Sequence, residues 1–186
     1  MGTGGIFRRF LRAEGGIAIE EFALLLPVLM TLFYGTVEVS RYILITQKVE
    51  KLAHTIADVT SQEQTATKTT LDQVLAASGN IMDPYTMTTN GTVFITSLYK
   101  APSANPTVSW RYQGGGTYSA SSKLGTVGNT PSMPAGFTFD DRENVIAAEV
   151  YFQFSPLISS QFFGTTTIYR AAFYKPRFGA LLTAPA

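Results

Sequence analysis

The chain has no cysteine, a single histidine and little charge. The missing cysteine excludes a disulfide framework, a thiolate metal site and a cysteine nucleophile. The lone His54 cannot build a histidine-rich metal centre. Among Lys51, Leu52 and Thr55 it reads as a solvent-facing or helix–sheet residue rather than a member of a Ser–His–Asp set. Charged residues make up 15% of the 186 positions against 45% hydrophobic, which is low for an ordinary soluble domain. The formal net charge of +1 provides no basic field for nucleic acid. Gly114-Gly115-Gly116 lacks the Lys-Ser/Thr pair and the following helix of a phosphate loop. Asp140, Asp141 and Glu143 lack the spacing and central glycine of a calcium loop, so they read as an acidic turn before a strand. No carboxylate pair marks an acid–base site. The sequence therefore assigns no catalytic residue, no metal ligand and no cofactor site, and the expectation is a protein that is not an enzyme.

What the sequence does contain is an apolar run near its start. Phe22 to Val37, FALLLPVLMTLFYGTV, holds sixteen residues without a charge, and extending back to Ile17 gives twenty-one with only Glu20 and Glu21 inside. About 20 helical residues span a bilayer core, so the membrane part is expected at about 17–37. Pro27 would break a soluble helix and is better tolerated in lipid. Arg8, Arg9 and Arg12 precede the run. By the positive-inside rule they keep the N-terminus cytoplasmic and send the rest across the membrane once. A cleaved secretory signal fits poorly, because the run is long and no A-x-A-like site with a turn follows it. Instead Ile45, Val49, Leu52, Ile56 and Val59 continue as one helical stripe. One helix is expected over 17–61, its second half packed under a folded domain. Glu38 and Arg41, three apart where the run ends, form a helix-interface pair, either a surface ion pair or a contact to a neighbouring subunit.

The stretch G-G-I-A-I-E-E-F-A-L-L-L-P, behind a short basic leader, resembles the type IV pilin-like proteins. It is closest in pattern to the TadE/TadF-like pseudopilins of the tight-adherence (Tad, Flp) pilus system. The resemblance covers residues 8 to about 60 well. It continues weakly at V-I-A-A-E-V-Y-F-Q-F-S-P-L, which looks like the family's late strand. It implies a leader, residues 1–16, removed by a membrane-embedded prepilin peptidase between Gly16 and Ile17. Glu21 then becomes the fifth residue of the mature chain and Phe22 its aromatic sixth. Glu20 departs from the pattern, which has a hydrophobic residue there. A cut after Gly15 would make Glu20 the fifth residue but put Glu21 where the aromatic belongs.

Cleavage would expose an α-amine at Ile17, positive at neutral pH. Glu21, on the same or a neighbouring subunit, could neutralise it inside the membrane, where a lone charge is costly. Glu21 is thus the expected assembly carboxylate. The implied partners are the prepilin peptidase, other pilins or pseudopilins with their inner-membrane platform, and the lipid bilayer. The implied location is the bacterial inner membrane with the C-terminal domain periplasmic, or an extracellular pilus. Major subunits of such pili are little more than the helix, so the resemblance implies a minor pilin acting in initiation or assembly of an adherence pilus. The competing reading is a single-pass anchored binding protein that never joins a pilus.

After Ser61 the polar QEQTATKTT reads as a linker. Thr70-Leu-Asp-Gln73 reads as a capping box opening a short helix Leu71–Ser78, which ends at Gly79; these form a segment 62–80. Asp83-Pro84 should end the helical region. Strands are expected at Thr92–Lys100, with Val93, Ile95 and Ser97 on one face, and at Val108–Gln113, Asn144–Phe154 and Thr165–Tyr174. Residues 81–186 thus form an exported α+β domain, a small antiparallel sheet packed on the helix end. Within it 114–136, with six glycines and two prolines, reads as a long loop. That loop is either a variable surface for partners or adhesion, or a solvated insertion.

Overall fold

The computed structural model describes residues 14–157 and 164–186, with side chains from residue 19 onward. Of the expected leader, 1–13 with its three arginines lie outside the described residues. Helix α1 (Glu14–Ser61) comes first. Three short helices follow, α2 (Lys68–Ala76), α3 (Ser78–Met82) and α4 (Met87–Asn90). Then come strands β1 (Gly91–Lys100), β2 (Pro106–Gly114), β3 (Asn144–Phe154) and β4 (Thr166–Tyr174). The strands form one antiparallel sheet in the order β2-β1-β3-β4, giving the α+β class expected. The chain divides into two units, one ending at Arg41 and one running from Tyr42 to Ala186.

In the second unit one sheet face packs on α1. Ile45, Val49, Leu52, Ala53, Ile56 and Ala57 are at most 2% exposed. They meet Val93 and Ile95 of β1, Trp110 of β2, Ile146, Ala148 and Val150 of β3, and Ile168 of β4. Each buried aliphatic side chain contributes about 1.5–3 kcal/mol, so this seam is the main store of stability. Val59, expected on the stripe, is 37% exposed. A straight helix drifts by about 20° per heptad against a 3.5-residue repeat. Two heptads beyond Ile45, Val59 has turned toward solvent and Thr60 has replaced it inside.

Contacts along α1 show that it runs beside β4. Tyr42 packs edge-on against Phe154, Glu50 pairs with Arg170, His54 meets Tyr174, and Asp58 pairs with Arg177. Tyr42 therefore marks the end of the sheet where β3 stops and β4 starts, and Asp58 marks the other.

The short helices differ from expectation. The capping box lies three residues earlier: Thr67 is the extended N-cap, its hydroxyl accepts from the Thr70 N–H, and the Thr70 hydroxyl accepts from the Thr67 N–H. Thr70 is thus the third helical residue, so the helix begins at Lys68. It stops at Ala76, and Ser78 starts α3 instead of closing α2. Lys48 of α1 donates to the Ile81 and Asp83 carbonyls, satisfying acceptors that a helix end leaves open. Helical structure does not end at Asp83-Pro84, because α4 adds one more turn before β1.

The sheet's second face is also covered. Residues Gly91 to Leu98 of β1 are buried on both faces of the strand. The cover is the loop after β2, which lies across the sheet and buries Leu124 and Pro131 while 126–130 and 134–136 stay exposed. Leu124 and Phe139 join Leu98, Val108, Val145 and Ala147 in a second core. The C-terminal tail closes one end of the first core: the Leu181 carbonyl accepts from the Ser97 hydroxyl and the Trp110 indole, each at 2.7 Å. The Leu181 N–H donates to Asn144 Oδ1.

Candidate functional site

The candidate site is the start of α1. Gly16 and Ile17 lie in helical backbone. Glu20 and Glu21 are exposed, as is Phe22 at 57%. Successive helix positions are turned by about 100°, so the two carboxylates leave the helix in different directions.

From Ile19 to Leu44 the large apolar side chains lie open, among them Leu24 at 78%, Leu32 at 63% and Phe33 at 62%. The helix is long and apolar enough to cross a membrane, and none of its apolar window is buried among the described residues. Three hydroxyls in this stretch bond back to the helix backbone. Thr31, Thr36 and Ser40 each donate to the carbonyl four residues back, at 2.8 Å. Thr31 does so at the Pro27 carbonyl, in the turn that follows the proline. Such back-bonding removes the cost of leaving a donor in hydrocarbon. Glu38 and Arg41 form the expected i, i+3 pair at 3.4 Å, with side chains 14% and 24% exposed.

Other titratable groups lie in the second unit. His54 is exposed, its Nδ1 3.4 Å from the Tyr174 hydroxyl. The acidic turn before β3 is tied by cations: Asp141 meets Lys100 at 3.0 Å, and Glu143 meets Lys175 at 2.6 Å. The hydrogen bond from Lys100 holds Asp141 below its ordinary value. Burial opposes the charge on Glu143, yet the Lys175 contact and the Asp140 N–H outweigh it and hold that carboxyl low.

Sequence reasoning missed Glu149, a fully buried carboxylate on the loop-covered face of β3. It accepts from the Ser122 hydroxyl, from the Lys123 N–H at 2.8 Å and from the Tyr169 hydroxyl at 3.1 Å, with the Tyr151 hydroxyl at 3.4 Å. Burial first, and the Glu149 charge second, push the Tyr151 and Tyr169 phenols well above their ordinary value. Arg111, from β2, donates to the Thr96 hydroxyl and the Gly125 carbonyl. The cluster fastens loop to sheet. The signal available in the sequence was a lone glutamate inside NVIAAEVYFQF, the most apolar strand.

Fold and site together define a class: an α+β protein whose first helix can serve as a membrane anchor. Within that class, residues 15–58 match the family described as TadE-like protein, the family group to which the sequence pattern pointed. The match starts at the glycine pair and ends three residues before α1 does. No curated protein and no solved structure matches the chain.

Proposed function

We propose that this chain is a minor pilin or pseudopilin of a Tad-type pilus, processed after Gly16 and active in initiation or assembly of the fibre rather than as an enzyme. The observation that carries the reading is the TadE-like match over residues 15–58, which falls on a helix whose apolar window is exposed among the described residues. That open surface supports two successive environments, first lipid and then the helices of neighbouring subunits. The N-terminus stays cytoplasmic and Tyr42–Ala186 is exported across the inner membrane, in line with the positive-inside rule. The prepilin peptidase releases the Ile17 amine. Glu21, exposed one turn further along, pairs with that amine on an adjacent subunit and so fixes the axial step between subunits. A buried unpaired charge is costly enough to make the pairing selective.

Replacement of Glu21 tests this. Glu21→Ala should leave membrane insertion and processing intact and abolish assembly, scored by surface pili and by adherence. Glu20→Ala should assemble. Normal piliation by the Glu21 variant overturns the pairing scheme.

A further inference from the structure

The sheet has two edge strands, β2 and β4, and they differ. Along an antiparallel pair, residues bonded to the neighbouring strand alternate with residues whose N–H and C=O point away from it. Lys100 bonds toward β3 through both groups: its N–H donates to the Glu143 carbonyl and its carbonyl accepts from the Arg142 N–H. The registers of β1 with β3 and of β3 with β4 are continuous. Alternation from Lys100 therefore makes β4 bond inward through Ile168, Arg170 and Ala172. The N–H and C=O groups of Thr167, Tyr169, Ala171 and Phe173 point outward. The same alternation turns Val108 of β2 outward, where it donates to the Asn129 carbonyl and accepts from the Gly128 N–H.

The β2 edge is thus closed at Val108 by the chain's own loop. It also opens with Pro106 and carries a bulge at Ser109, the residue skipped between the pairs Ser97↔Trp110 and Leu98↔Val108. Proline and bulges both stop a further strand from adding. The β4 edge has neither. Its nine residues hold no proline and no register shift. Among the described residues no backbone group bonds to its outer side. The Arg170 guanidinium instead donates to the Tyr169 carbonyl at 2.8 Å.

Direction selects the occupant. Within Tyr42–Ala186, Glu50, His54 and Asp58 meet Arg170, Tyr174 and Arg177 in that order, so α1 and β4 run the same way. Pairing β4 antiparallel with β4 of a second copy would oppose the two helices, and pairing them parallel would put the helices on opposite faces. Two like-directed copies side by side would bring β4 against β2, which is closed. We infer that β4 accepts an edge strand of a different pilin-like subunit, antiparallel to β4 and with both helices on one face. The inference rests on the pilin reading above. The incoming strand carries apolar side chains beside Tyr169 and Phe173 and a carboxylate opposite Arg170, where a like charge would destabilise the pair. The Arg170 side chain is 42% exposed and only 3.7 Å from its partner Glu50, so it has room for a second anion. With one edge open, the chain takes a neighbour on one side only, as the first or last member of a row does.

Hydrogen exchange on the full chain, alone in lipid nanodiscs and in membranes carrying the assembled pilus, tests this without a variant. Alone, the Tyr169, Ala171 and Phe173 amides should exchange about 100-fold faster than those of Arg170 and Ala172, and on assembly they should slow to match them. Slow exchange in the isolated chain means that its own residues cover the edge, and unchanged exchange on assembly means that nothing docks there; either overturns the proposal. Ala171→Pro deletes one outward N–H and no bond to β3, a change that edge strands tolerate. It should leave Arg170 and Ala172 protected and abolish surface pili. Normal piliation by that folded variant overturns the docking and leaves the pilin reading standing, whereas normal piliation after deletion of the whole chain removes both. The chain has no cysteine of its own, so Ala171→Cys reports on self-pairing: a disulfide between two copies assigns the edge to a second copy and also overturns the proposal.

Discussion

The two halves of α1 carry similar side chains into opposite surroundings. Leu24, Leu25 and Phe33 are more than half exposed, whereas Leu52 and Ile56 are at most 1% exposed. The difference lies in arrangement. Before Leu44 apolar residues surround the helix, and no single protein face could cover them. After it they narrow to a stripe, and one sheet face suffices. Hydrophobicity alone thus says that a surface must be covered, and its distribution around the helix says by what.

The sharpest break in this comparison is a matched pair of truncations. Leu52→Ala should cost the second unit about 3 kcal/mol, as a cavity in its main core, read by denaturant unfolding. Leu25→Ala should leave that transition unmoved. A smaller loss is expected on the sheet's other face. Glu149→Gln keeps the shape but sets an amide donor against the donors that surround the carboxylate, costing about 2 kcal/mol. It should also speed proteolysis within 114–136 and lower the Tyr151 and Tyr169 phenol pKa values, followed by ultraviolet titration. Both phenols should stay above their ordinary value, because burial is the larger cause. Thr67→Ala, which removes the observed N-cap, should cost about 1 kcal/mol, and Gln73→Ala, at the cap box the sequence suggested, should cost less.

The smallest effect concerns pH. Asp141 and Glu143 ionise more readily folded than unfolded. Their contribution is complete above the ordinary values of 3.8 and 4.5 and fades as pH falls through the lowered ones. Lys175→Ala should flatten the acid side of the stability profile. An unchanged profile would mean that the Glu143–Lys175 pair contributes nothing.

Strand β3 and the helix were legible because each had a strong period. The match of residues 15–58 to a TadE-like family answered a pattern built on Gly16, Glu21 and Phe22. Other features depended on partners distant in sequence. The Thr67 cap was masked by Thr70, which offers the same hydroxyl three residues later. The role of 114–136 depended on Glu149, which lies more than twenty residues downstream of Ser122 and Lys123. Leu181 showed no local signal, since its site is assembled from Ser97, Trp110 and Asn144 on three different strands. At the candidate site the pattern singled out Glu21 over Glu20, and the helix turns the two carboxylates in different directions.

The central claim is that α1 begins its working life at Ile17. Intact mass of the full chain, expressed in a membrane with and without its prepilin peptidase, tests this most directly. The account predicts that the peptidase removes residues 1–16 and leaves a chain starting at Ile17. Retention of the leader in the presence of an active peptidase would contradict it, and a chain starting at Gly16 would transfer the assembly role to Glu20.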